Sequence, residues 1–149
     1  MREEWLFAGH ATNFRNVIVL GVQHDYEQLK AAPALEAGVD VMRQYTRAAT
    51  VAKKVAGWLR EEGWDAEPVT GPMATKLLLI PPAIEAGFGE LGKHGSLINP
   101  EFGAGFRLAA VLTDAPFAPT PKRTFDVDNF CMHCRVCEEA CPPEAIAPE

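Results

Sequence analysis

All four cysteines of this chain fall within one short run, Cys131-Met-His-Cys134-Arg-Val-Cys137-Glu-Glu-Ala-Cys141-Pro142. A disulfide framework would scatter its cysteines to close long loops. Clustering at one end asks instead for a metal, in a compartment where thiolates survive until it arrives. The spacing C-x2-C-x2-C-x3-C-P is that of bacterial ferredoxins. Two-residue gaps let the backbone wrap one corner of an iron–sulfur cube and offer three thiolates to three irons, while the longer third gap turns the last sulfur away. Structural zinc normally draws its ligands from two separated knuckles. The run therefore reads as a 4Fe–4S site with Cys131, Cys134, Cys137 and Cys141 as candidate ligands. In two-cluster proteins the fourth cysteine of such a run serves the other cluster. A matching second run would lie beyond Glu149, so the chain reads as a fragment. His133, between ligands, reads as an exposed loop residue.

The elements that must position such a site are legible upstream. Asn16-Val-Ile-Val-Leu-Gly-Val22 is a continuous β-branched run with no helical period, hence a buried strand. From Asp40 to Glu62 the pattern turns helical: Val41, Tyr45, Ala48, Ala52, Val55 and Leu59 recur at steps of three or four, with Asp40 as N-cap and Gly63 as the stop. Trp58 and Trp64 read as core and edge packing. Trp64–Val69 is a short strand that Pro68 assigns to a sheet edge. Pro81–Ala86 is a short helix entered through proline and ended by Gly87. A Gly-rich stretch, 87–95, follows. Two apolar runs, Ser96–Ile98 and Arg107–Leu112, then flank a hairpin-like connection, Asn99–Gly105. The irregular alternation implies a mixed α/β (α+β) sandwich. Ala115-Pro-Phe-Ala-Pro-Thr-Pro121 is a stiff spacer by composition, and the module after it is too small to hold an apolar core without its metal.

The 149 residues carry a net charge of −6 and are 48% hydrophobic, which excludes wholesale disorder and disfavours a nucleic-acid backbone as main partner. No apolar run approaches a membrane span, and the start lacks a signal pattern, so the chain as written reads as cytoplasmic. An exported, membrane-associated form stays open if the N-terminus is truncated.

Four stretches together resemble the corrinoid- and iron–sulfur-dependent reductive dehalogenases: Tyr45-Thr-Arg47, the block from Ile84 to Gly103 (Ile-Glu-Ala-Gly-Phe-Gly-Glu-Leu-Gly-Lys-His-Gly-Ser-Leu-Ile-Asn-Pro-Glu-Phe-Gly), Arg107-Leu-Ala-Ala-Val-Leu-Thr-Asp114, and the cysteine run. The epoxyqueuosine reductases are similar in the central block. The resemblance implies a nitroreductase-like cobalamin-binding domain over residues 1–114, a Pro-rich linker over 115–124, and the first half of a ferredoxin-like 4Fe–4S module over 125–149. It implies cobalamin and iron–sulfur cofactors, an organohalide substrate, and an electron donor of the ferredoxin or flavodoxin type or a membrane quinol chain.

Tyr45 matches the family's proton-donating tyrosine, with Thr46 where the family has serine. A phenol is a weak acid at neutral pH, and an adjacent cation stabilises the phenolate it leaves behind. Arg107 and Lys93 are the candidate cations. The family's Pro-Arg-Val-Arg is Ala104-Gly-Phe-Arg107 here, so one basic residue is absent. Tyr45 also fits a core tyrosine on its helix face. Gly87, Gly89, Gly92 and Gly95 fit either turns or close approach of backbone to a planar ring. The alternatives are an epoxyqueuosine-reductase-like enzyme, which resembles the family with an acidic donor, and a non-catalytic iron–sulfur electron-transfer module.

Overall fold

The computed structural model describes residues 14–71 and 76–148. The first thirteen residues of the expected cobalamin-binding domain therefore lie outside the described part. Ten elements follow in order. They are β1 (Asn16–Gln23), α1 (Tyr26–Leu29), α2 (Leu35–Glu61), β2 (Ala66–Val69), α3 (Ile80–Glu85), β3 (Glu90–Leu91), β4 (Leu97–Ile98), β5 (Phe106–Thr113), α4 (Val127–Cys134) and α5 (Val136–Glu139).

β5 is the centre of a three-stranded antiparallel sheet of order β1-β5-β2. Its continuous apolar run is buried on both faces, as an uninterrupted run should be. On one face Ala109 and Val111 join Val22 of β1 beneath Ala48, Ala52, Ala56 and Leu59 of α2. Alanines along the helix let the two backbones approach closely. On the other face Ala110 and Leu112 meet Val69 and Leu77. A third cluster, Ala83, Leu97 and Phe106, is closed by Phe88 and Phe102, whose rings lie 5.5 and 6.3 Å from that of Phe106.

The long helix begins at Leu35, not Asp40, and Ala34 caps it without a side-chain bond. Asp40 cannot cap because it is fully buried inside the helix. The buried face runs Ala37, Asp40, Gln44, Ala48, Ala52, Ala56, Leu59, so two polar residues lie on the face that helical spacing assigns to Val41 and Tyr45. Trp58 does not pack in the core; it is 53% exposed. The segment 99–105 does not join two paired strands. β4 pairs with β3 in a separate two-stranded sheet, and the connection closes on itself through an Asn99–Gly103 bridge. Asn99 directs this: its Oδ1 accepts from the N–H groups of Glu101 and Phe102, which turns the chain. His133 is exposed as expected, but it sits in the last turn of α4, bonded to Asn129 O at 2.8 Å. A strand forms at β1 as expected, but it is not a buried one: it lies at the sheet's edge, paired only with β5, and of its residues only Val22 is buried. The edge position of β2 and the proline-entered α3 are as expected.

Candidate functional site

Two separate loci gather the candidate residues. The first lies between α2 and the sheet. Side chains alternate along β5, so Arg107 projects to the same face as Ala109 and Val111, beneath α2. Tyr45, half-buried on that helix, lies over it: the Arg107 guanidinium carbon is 4.5 Å from the ring centroid. Such a contact contributes about 0.5–2 kcal/mol, more as water is excluded. Arg107 Nε is buried and finds no hydrogen-bond partner among the described residues. A buried, unpaired guanidinium nitrogen beside a phenol is an electrophilic corner, suited to hold a developing phenolate.

A polar chain that residue spacing does not announce flanks this pair. His24, at the end of β1, is held by its N–H to Gly105 O at 2.8 Å. Its Nδ1 lies 2.6 Å from Asp40 Oδ2, and Gln44 Nε2 donates to Asp40 Oδ1 at 2.7 Å. Arg47 Nη1 donates to Gln44 Oε1 at 2.6 Å, carrying the chain to the surface. Burial alone would raise the Asp40 carboxyl, but the hydrogen bonds from His24 and Gln44 outweigh it and hold it below its ordinary value. The signal available in the sequence was weak: an aspartate and a glutamine four apart on one helical face, with a histidine at a strand end.

The second locus is the cysteine run. Cys131 and Cys134 lie on α4 and Cys137 on α5, with Arg135 between the helices in the left-handed region at φ 53°. All four cysteines are free thiols. Cys131, Cys134 and Cys137 line one cavity of about 520 Å³, walled by apolar side chains such as Ile98, Val127 and Phe130; Cys141 is not in its lining. Among the described residues no three His, Cys, Asp or Glu side chains form a set that could hold one metal ion. A four-iron cube distributes its thiolates over separate irons, so three thiols spread around one apolar cavity fit a cluster.

Lys93 lies at this second locus. It lines the same cavity, and its Nζ is 2.7 Å from Glu138 Oε1. The Lys93 ammonium paired with it holds the Glu138 carboxyl below its ordinary value, with Arg135 adding to the effect. Of the two cations considered for Tyr45, Arg107 is therefore the one in contact with it.

The glycines serve the chain's own packing. A Cβ on Gly87 would lie 2.7 Å from Pro121 O, one on Gly89 2.3 Å from Ile98 O, and one on Gly92 2.6 Å from Ile98 Cδ1. Only Gly95, at φ +80°, faces open space. At three of the four positions the space a Cβ would take is thus filled from within the chain.

No protein-family model matches the chain. The tetrachloroethene reductive dehalogenase of Dehalobacter restrictus is 38% identical over 135 residues, covering 91% of this chain and 24% of the relative. An epoxyqueuosine reductase of a Synechococcus species is 32% identical, covering 97% of this chain and 50% of its own length. Among solved structures, a reductive dehalogenase described as suggesting a mechanism for B12-dependent dehalogenation matches with a TM-score of 0.80 and 27% identity, over 88% of this chain and 19% of that one. The chain is a homologue of the reductive dehalogenases over most of its length, and it spans about a quarter of the length of the tetrachloroethene reductive dehalogenases it matches.

Proposed function

We propose that this chain contributes the proton-delivering site and one iron–sulfur site of a corrinoid-dependent reductive dehalogenase, with a nitroreductase-like domain over 1–114, a linker over 115–124 and a ferredoxin-like module over 125–149. The observation that carries the reading is Arg107 stacked on Tyr45 at 4.5 Å, on a chain homologous to enzymes of that activity. Reductive dehalogenation replaces carbon–halogen by carbon–hydrogen: the organohalide takes up two electrons and one proton and releases halide. The electrons come from an external donor, of the ferredoxin or flavodoxin type or a membrane quinol chain. Cys131, Cys134 and Cys137 would hold a 4Fe–4S cluster that passes them on one at a time. Tyr45 gives the proton from its hydroxyl, and Arg107 holds the phenolate until solvent returns a proton.

The epoxyqueuosine-reductase reading asks for an acidic donor near that position. Asp40, the carboxylate on the buried face of the same helix, is committed to His24 and Gln44, which favours dehalogenation.

Tyr45→Phe removes one hydroxyl and keeps the ring over Arg107. In the cofactor-loaded enzyme turnover should fall by roughly 10²–10⁴-fold, the contribution of a positioned general acid, with cluster content unchanged. Arg107→Met should also slow turnover, by about tenfold or more as the charge facing the phenolate is lost. Full-rate dehalogenation by Tyr45→Phe returns Tyr45 to a packing role.

A further inference from the structure

The Gly-rich block touches the cysteine segment and its approach at three places. Gly87 lies against Pro121 O and the backbone of Arg123, where any side chain would collide. Glu90 Oε2 accepts the Val127 N–H at 2.9 Å, taking the place of a missing side-chain cap at the start of α4. Lys93 reaches Glu138 on α5, and the pair is nearly shut off from solvent, at 15% and 7% side-chain exposure. Glu138 uses its other oxygen for Arg135 Nε at 3.1 Å, fixing the left-handed residue that aims Cys134 and Cys137. Apolar packing supplies little here, since Val127 is the one buried residue described beyond Ala115.

We propose that Lys93 is a positioning residue of the cysteine site. Its ion pair with Glu138 latches α5 onto the Gly-rich block and, through Arg135, sets the thiols of Cys134 and Cys137 on the wall of their shared cavity. This rests on the iron–sulfur reading of the run for its metal consequence, but the latch itself is a property of the protein alone. An ion pair this well enclosed costs far more to break on one side than to exchange end for end.

The test has two arms on the full 149-residue chain. In the metal-free chain, tryptic cleavage after the exposed Lys122 and Arg123 reports whether the segment stays docked. After anaerobic loading with iron and sulfide, the rate of iron release to a chelator reports how well the thiols are held. Lys93→Met and Glu138→Gln should each speed both by about tenfold, and the exchanged pair Lys93→Glu with Glu138→Lys should restore protease resistance. A Lys93→Met chain with wild-type cleavage and release, or an exchanged pair as labile as the single variants despite normal helical content, overturns the latch. A wild-type chain that takes up no iron and sulfide sinks the cluster reading, and the protease arm then decides the latch alone.

Discussion

The α2–sheet layer and the cysteine segment are held by different physics. Tyr45 and Arg107 ride on two long elements, α2 and β5, whose facing alanines and valines exclude water along their length. Cys131, Cys134 and Cys137 sit on two short helices with almost no buried apolar surface, attached by a carboxylate on a backbone N–H, an ion pair and a glycine contact. A proton donor needs fixed geometry within a dry layer, which packing provides. A metal site needs ligands that settle around their cluster, and such a segment gains its order from the metal. The two halves should therefore fail separately when perturbed, each through its own contacts.

Asp40→Ala offers the sharpest break on the packed side. It leaves His24 and Gln44 buried without their shared acceptor, costing on the order of 3 kcal/mol. Thermal or denaturant unfolding should show that loss, while iron retention at the cysteines stays near wild type. The same residue sets a pH dependence. Its folded-state value is depressed, so its contribution is fully present above the ordinary carboxylate value and is lost as pH falls through the lowered one. Asp40→Asn should flatten that acid limb. An unchanged acid limb would show that the pair does not couple to folding.

On the other side, Gly89→Ala should reverse the pattern. The added Cβ would lie 2.3 Å from Ile98 O, so β3 must move from β4, carrying Glu90 and Lys93 with it. Overpacking of this kind costs about 1–3 kcal/mol. The cysteine segment should loosen and release iron faster, while hydrogen exchange in β1 and β5 stays slow. Equal loss of protection in both regions would mean that the molecule unfolds as one unit and that the distinction drawn between its halves is false.

How far the sequence revealed these halves follows from the same physics. Continuous apolar runs announce strands, and β5 and β1 were legible for that reason, although only β5 is central and β1 is a half-buried edge. Helical spacing made the alanine-bearing stretch of α2 legible. That Cys131, Cys134 and Cys137 come together was legible because their spacing is local. The polar stretch of α2 was not, because Asp40 and Gln44 resemble a cap and a solvated residue until His24 arrives from sixteen residues away. The packing of the block 87–95 was not legible for a different reason: a glycine states that something lies close, but not that it is the chain's own Pro121 or Ile98. Lys93 was ambiguous in the same way, since a lysine's partner is set by tertiary contact. The two-stranded β3–β4 pairing involves two residues a side, too few for any periodicity to show.

Trp58→Ala is the smallest effect and tests the comparison from its quiet side. Truncating a tryptophan inside a core costs about 3–5 kcal/mol, and helical spacing alone would assign Trp58 to that class. In the structure it stands 53% exposed on α2, away from the buried face of Ala52, Ala56 and Leu59. Its partners are largely water, so truncation should change stability by about 0.5 kcal/mol or less, leaving the Tyr45–Arg107 contact undisturbed. Indole fluorescence of the wild type should accordingly be quenched readily by iodide at this position. If the variant instead loses several kcal/mol, α2 is held by its outer face as well as by its alanines, and the positioning of Tyr45 would have to be reassigned to contacts on both sides of the helix.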